Sequence, residues 1–280
     1  MIERAGVLNQ VALGAIAGLE RRCVAADGGR LKLEWGALRT RPADAMRDLL
    51  WWNDGRLLGF LGIYGYRTGW FEVTGMVDPD HRRRGIARTP LQTARPLLRA
   101  AGGEQMLLVV PRTSSAGREF AHAFGMSYEH SEHALRLSGA PAEGEANAAL
   151  SLRQAEEEDI PALSALYLDA FGMDEVDPDR LTGKRSRTLM IVHDGEVVGT
   201  VAASLDGTRA GVYGFVVAAA LRGRGIGAQV LRLVCRDLFD AGVEYVDLDV
   251  EVKNDRALRL YTSVGFESLA TDDYYELALS

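Results

Sequence analysis

Residue types that commonly build metal and redox centres are scarce in this chain. There are five histidines and two cysteines among 280 residues. Nowhere do they fall at metal-ligand spacing, which argues against a metal held by His and Cys. Cys23 and Cys235 lie in different halves, each within a helix-like pattern. They read as buried free thiols rather than a disulfide, in keeping with a reducing, cytoplasmic setting. Long apolar runs are missing too: none reaches the roughly 18 residues that would suggest a membrane span. The opening residues, with Glu3 and Arg4 ahead of a broken apolar pattern over Val11–Leu19, do not have the form of a signal peptide. Arginines are not interleaved with aromatics and the basic excess is small, so nucleic acid is not an expected partner.

What the chain does contain is a long internal repeat. Arg82-Arg83-Arg84-Gly85-Ile86-Ala87 returns 140 residues later as Arg222-Gly223-Arg224-Gly225-Ile226-Gly227. The same offset aligns Asp54-Gly55 with Asp194-Gly195, Gly59 with Gly199, Val77 with Val217, and Gly125 with Gly265. A repeat of this length is the size of a domain, far beyond a solenoid unit. With 47% hydrophobic and 25% charged residues, each half can bury a core of its own. Ser138 to Ala149 offers Gly, Pro, Ala, Glu and Asn with little to bury. The predicted organisation is therefore a first domain over 1–138, a linker over 139–149 and a second domain over 150–280. Charge divides unevenly. Residues 1–140 carry 19 Lys+Arg against 14 Asp+Glu, while residues 141–280 carry 13 against 25. The second half, at −12, favours a cationic partner by long-range attraction, and the +5 of the first half can help the two dock.

Local patterns place the elements. In the first copy, Val7 to Cys23 has helical spacing and Leu31 to Trp35 alternates as a strand, with no clear strand ahead of the helix. Leu49–Asn53, the Asp54-Gly55 turn and Leu57–Tyr64 read as a hairpin. A strand at Trp70–Val77, a helix from Gly85 to Ala101, a strand at Met106–Val110 and a short helix at Ser115–Phe124 follow. Two terminal strands are predicted to end near Leu137. The second copy opens with a strand at Ser151–Ala155 and a helix led by four carboxylates, Glu156 to Asp159, where the helix dipole favours them. Gly172 to Arg187 is polar and is expected to lie over the site. A hairpin, a strand at Val212–Val217, a helix to Phe239, a strand at Tyr245–Val252, a helix at Asp255–Val264 and a strand at Tyr274–Leu279 complete it.

Chemistry concentrates where strand passes into helix. A helix beginning near Gly225 presents unpaired N–H groups and a positive dipole end, and glycine lets the backbone approach an anion closely. Arg222, Gly223, Arg224, Gly225, Ile226 and Gly227 resemble the R-x-x-G-x-G/A pyrophosphate signature of the GCN5-related N-acetyltransferases. Asn254, Ala257, Tyr261 and Gly265-Phe266 resemble the last block of the same family. The resemblance covers Leu150 to Ser280 well and Leu49 to Leu137 in part.

It implies an α/β (α+β) chain of two tandem acetyltransferase-fold domains, each a mixed, splayed β-sheet flanked by helices. Acetyl-CoA is the implied co-substrate, its pantetheine arm bonded to strand backbone at Val216 and Val217. In the first copy the matching positions are Val77, Arg82, Arg84, Gly85 and Ala87. Tyr261 is implied to donate a proton to the leaving thiolate, although a core aromatic is its plain alternative. Asn254 is either a helix cap or a cofactor contact. Leu248-Asp249-Val250 occupies the place of the L-E-V segment of the ribosomal-protein alanine acetyltransferase group, which makes Asp249 the implied general base, with Glu251 and Asp247 as alternates on the same face. Ser114 and Ala121 stand in the first copy where Asn254 and Tyr261 stand in the second. The implied activity is acetyl transfer to a primary amine, catalysed by the second domain, with a thiol-sugar, an aminoglycoside-like amine or a protein N-terminus equally possible as acceptor. The rival is a non-catalytic acyl-CoA-binding or regulatory protein that keeps the fold.

Overall fold

The structure, a computed structural model, describes residues 2–42, 48–142, 144, 147–173, 176, 181 and 186–279. Most of the stretch between Gly172 and Arg187, expected over the site, lies outside them. The chain forms two compact units, Met1–His133 with Leu269–Ser280, and Ala134–Ser268. The last strand of the second repeat thus belongs to the first unit, which a division of the sequence at 138 and 150 does not anticipate.

Unit 1 contains β1 (Ile2–Ala5), α1 (Gln10–Asp27), α2 (Trp35–Thr40), β2 (Asp48–Asn53), β3 (Arg56–Arg67), β4 (Trp70–Val77), α3 (Arg88–Ala100), β5 (Gln105–Pro111), α4 (Ser115–Phe124) and most of β6 (Ser127–Leu137). Strands β1 to β4 pair antiparallel in sequence order, and β4 runs parallel to β5. Strand alternation sends Leu49 to the face covered by α3 and α4, and its neighbour Leu50 to the face covered by α1 and α2. Asp54 and Gly55, at φ 47 and 74, make the tight turn that their dipeptide predicts.

Three expectations need correction here. A first strand does exist: Ile2–Ala5 pairs with β2, too short and too charged to show alternation. The Leu31–Trp35 segment is not a strand. Its alternation is real, since Leu31, Leu33 and Trp35 pack on the core, but its backbone bonds close locally, Leu33 N–H to Leu31 O and Trp35 N–H to Leu33 O. And one long strand, β6, replaces the two expected before Leu137.

Its missing companion is β12 (Glu267–Ala278), which pairs antiparallel with β5, Tyr274 opposite Val109. Strand β12 also completes a buried polar cluster. Tyr274 Oη accepts from Lys32 Nζ at 2.6 Å and donates to Glu132 Oε2 at 2.5 Å. Lys32 Nζ lies 3.6 Å from Glu72 and 3.4 Å from Glu132, and the His130 ring stacks on Tyr274 at 4.2 Å.

Unit 2 repeats the plan with β7 (Leu150–Gln154), α5 (Ile160–Phe171), β8 (Ser186–His193), β9 (Glu196–Asp206), β10 (Arg209–Val217), α6 (Ile226–Asp240), β11 (Tyr245–Glu251) and α7 (Asp255–Val264). Leu189 and Ile191 join the core under α6, while Met190 between them packs under α5. Ahead of α5, Glu156 and Asp159 form a reciprocal capping box, with Asp159 also clamped by Arg153. Gly265 ends α7 in the left-handed region, the cap its position predicts. Among the described residues no helix is long and apolar enough to cross a membrane.

The cluster around Glu132 gives unit 1 an acid-sensitive joint. Burial would raise the Glu132 pKa, but the His130 ring, the Lys32 ammonium and the Tyr274 hydroxyl reverse this and hold it at about 2, against 4.5 for a free carboxyl. A depressed folded pKa contributes stability that is complete above about pH 4.5 and is lost as pH falls toward 2. The shift corresponds to about 3 kcal/mol. Resistance of the protein to urea should therefore fall as pH drops from about 4.5 toward 2. Glu132→Gln should be less stable at pH 7 and lose much less on acidification, and equal acid slopes for the two proteins would remove Glu132 as the cause.

Candidate active site

The site begins with a strand that leaves its neighbour. Parallel pairing of β10 with β11 joins Arg209, Ala210 and Gly211 to Tyr245, Val246 and Asp247, and no pair beyond Gly211 forms among the described residues. From Val212 onward one edge of β10 is open, forming a slot of the kind a splayed sheet leaves. A bulge opens it. Between Tyr213 and Val216 the register against β9 shifts, so that β10 carries one residue more than its partner. Gly214 sits in the bulge at φ 56, where a side chain would be strained. Opposite, a Cβ on Gly199 would stand 2.2 Å from the Val216 carbonyl oxygen, so only glycine fits.

Unit 1 splays without a bulge. Strand β4 follows β5 as far as Thr74–Val109 and then parts from it. Against β3, however, β4 stays in regular register from Val77 to Phe71, with Thr74 at the place of Gly214. A Cβ on Gly59 would lie 3.7 Å from the Met76 carbonyl oxygen and would instead meet the Ile86 side chain, at 2.6 Å. A cavity of about 310 Å³ nevertheless fills this cleft, walled by Val77, Gly85, Ile86 and Ala87 on one side and by Leu108, Val109 and Ser114 on the other. Arg82 borders it and Arg84 does not.

Both Gly-rich turns carry left-handed residues at matching places: Arg83 and Gly85 at φ 64 and 80, Gly223 and Gly225 at φ 81 and 82. No side chain caps the helix that follows in either unit, so first-turn N–H groups stay available to an anion. Space beside Gly225 is open. Ile226 is buried in the core, and Gly227 admits Leu260, whose nearest atom would be 3.1 Å from a Cβ there. Those two positions shape helix packing as much as the loop, whereas Arg224 is exposed.

The leading arginine of each turn is already engaged. Arg222 donates from Nε to the Val217 carbonyl at 2.6 Å and pairs with Asp169 at 3.1 Å. Arg82 does the same with Val77 at 3.3 Å and with Asp27 at 2.7 Å. Each arginine thus ties its loop to the end of its strand and to an acid at the end of the preceding helix. The acids are hard to find from sequence because Asp27 and Asp169 depart from the repeat offset by two residues. Gly214 could have been found, since a lone glycine within a strand pattern signals a bulge.

Asn254 caps α7, its Oδ1 accepting from Ala257 N–H at 3.0 Å, and Ser114 caps α4 in the same way through Gly117. Ser114 also donates to Asp27 at 2.7 Å. Tyr261 is half-buried against the core and meets Phe266 edge-on, ring centroids 6.0 Å apart. Burial pushes its pKa up to about 12. Its counterpart Ala121 is fully buried. On β11, Asp247 is held by Arg136 at 2.7 and 2.8 Å and by Arg209 at 2.8 Å. Burial opposes its ionisation, but the two arginines keep its pKa below the usual value, which fits a structural ion pair better than a base. Asp249 and Glu251 are exposed on the same face. Among the described residues no group of His, Cys, Asp and Glu could hold a metal ion.

Comparison with known proteins agrees with this geometry. The sequence pattern of the acetyltransferase (GNAT) family matches residues 22–126 and 150–266. A mycothiol acetyltransferase of Clavibacter sepedonicus is 29% identical over 224 residues, covering 74% of this chain and 73% of that one. In structure, the chain is similar to a GCN5-related N-acetyltransferase from Sphaerobacter thermophilus, with a TM-score of 0.78 at 19% identity over 100% of this chain and 95% of that one. It is also similar to a tandem GNAT protein from the clavulanic acid biosynthesis pathway, with a TM-score of 0.68 at 20% identity over 100% and 98%.

The Arg222 geometry makes a prediction with opposite signs for two models. If Arg222 acts by holding the loop, Asp169→Ala should weaken acetyl-CoA binding in the same direction as Arg222→Ala, whose loss should be about 1–3 kcal/mol. If Arg222 instead meets the phosphates directly, removing the competing Asp169 carboxylate should tighten binding. Calorimetric titration of both variants with acetyl-CoA reads the sign.

Proposed function

The chain belongs to the acetyltransferase (GNAT) family and is an acyl-CoA-dependent N-acyltransferase, and from that premise we propose that unit 2 transfers the acetyl group of acetyl-CoA to a primary amine by direct attack. The observation that carries this is the Gly214 bulge, present in the slot strand of unit 2 and absent from that of unit 1. A bulge turns backbone N–H groups out of the ladder, where they can polarise an acyl carbonyl. The open edge of β10 offers hydrogen bonds to an extended pantetheine arm, and the uncapped start of α6 takes the pyrophosphate. Unit 1, with its cavity and its Arg82 loop, holds a CoA group without transferring it, since Ala121 supplies no hydroxyl.

Magnitudes refine the role of Tyr261. Burial, which pushes the Tyr261 phenol up to about 12, keeps its proton on the oxygen. Tyr261 therefore serves as a hydrogen-bond donor to the departing sulfur, remaining protonated across the working pH range. The proton that must be removed is on the amine. With an alkyl amine near pKa 10.4, only about four molecules in ten thousand are free base at neutral pH. Asp249 is the carboxylate proposed to receive that proton, directly or through water, with Glu251 second. The −12 charge of residues 141–280 draws the ammonium form in. The acceptor used by the mycothiol acetyltransferase relatives is the first to test. Buried thiols at Cys23 and Cys235 suit a cytoplasmic enzyme.

Two substitutions test the assignment. Tyr261→Phe should fold normally and lower the rate by about 10²–10³ in single-turnover thiol-release assays, the cost of losing one positioned donor, and an unchanged rate would return Tyr261 to the core. Asp249→Asn should lose activity most at neutral pH and regain part of it in alkali, where the amine arrives deprotonated. A pH–rate profile matching that of the unaltered protein would take Asp249 out of the mechanism.

A further inference from the structure

Donor-length selection has a physical candidate in unit 2. If the site works as proposed above, the head of the donor lies at the Gly-rich turn beyond Val217 and its arm follows the open edge of β10 back toward Gly211. There the pairing with β11 closes the slot. The far end of the donor, its acyl group, must then come to rest near the bulge. What stands there is the phenol of Tyr167. Its hydroxyl is 2.9 Å from the place of a Cβ on Gly214, and two ring carbons lie within 3.6 Å of it.

The ring is held from several sides. Tyr167 sits on α5 and packs against Phe171, centroids 5.8 Å apart at 47°. Two residues on, Asp169 fastens the same helix turn to Arg222, at the other end of the slot. A side chain on Gly214 would collide with the phenol, so the bulge glycine and the tyrosine form one closely fitted pair. We infer that Tyr167 is the end wall of the acyl-donor slot, limiting the transferred group to acetyl or little more.

The inference rests on the acyltransferase reading of unit 2, and the test separates the two. Apparent kcat/KM is measured for acetyl-, propionyl-, butyryl- and hexanoyl-CoA with a reactive amine acceptor. A tight pocket discriminates by about 10–200-fold per methylene, so the unaltered protein should lose at least about a hundredfold over the two methylenes from acetyl to butyryl. Tyr167→Ala should recover at least about tenfold of that ratio, while Tyr167→Phe, which keeps the ring, should leave it nearly intact. Tyr167→Leu keeps an apolar contact with Phe171 and serves as the deciding variant if Tyr167→Ala fails to fold. General destabilisation lowers all rates together and does not move the butyryl-to-acetyl ratio. A folded Tyr167→Ala or Tyr167→Leu protein that transfers acetyl with the original chain-length profile would overturn the assignment of Tyr167 alone. No transfer from any acyl-CoA by the unaltered protein would sink the acyltransferase reading, and the end wall with it.

Discussion

Everything at the active face follows from β10 parting from β11. Parallel strands normally share a full ladder, and breaking one leaves backbone donors and acceptors that need other partners. Unit 2 concentrates the break at an extra residue, with Gly214 in the left-handed region and Gly199 yielding room to the displaced Val216 carbonyl. Once the edge is open, the remaining parts are placed by chain connectivity. Strand β10 leads into a turn whose arginine reaches back to Val217 O, the turn leads into an uncapped helix, and β11 leads into α7 with Tyr261. In unit 2 the open edge and the backbone irregularity thus lie on the same stretch of strand.

The two units set different residues on one frame. Their loops share dihedral angles, and their leading arginines share partners, yet they diverge where a reaction would occur. Unit 1 places a regular strand, a buried alanine and a serine tied to Asp27 where unit 2 has a bulge, a tyrosine and an asparagine. Unit 1 also encloses the Lys32–Tyr274–Glu132 chain, whose charges are neutralised inside the protein. Removing one member of such a cluster leaves an uncompensated charge. Unit 2 keeps its carboxylates differently. Arg136 and Arg209 neutralise Asp247, leaving Asp249 and Glu251 exposed on the same face.

The residues we propose to tune the site lie outside the family motifs. Asp169, Tyr167 and Gly214 connect the helix ahead of the slot to its loop and to its bulge. They form one linked set, because moving α5 would disturb both the Arg222 tether and the Tyr167 contact. Where motif residues make the slot possible, these neighbours give it dimensions.

Much of this was legible in the sequence, for a physical reason: local chemistry repeats wherever the chain repeats. The 140-residue offset, the Asp-Gly turns, the Gly-rich loops and the Gly265 cap depend on residues close in sequence, and each appears in the structure where its pattern puts it. The cap role of Asn254 is of the same kind. Tertiary structure alone decided what depends on distant partners. Leu31 to Trp35 alternates like a strand but finds no ladder, Ile2–Ala5 becomes a strand only because β2 is beside it, and β12 pairs with β5 of the other repeat. The pairing of Arg222 with Asp169, the neutralisation of Asp247 and the seat of Tyr167 over Gly214 likewise required the fold. A sequence specifies which faces are apolar and where the backbone can turn, but several distant partners can satisfy the same face. Only packing selects among them.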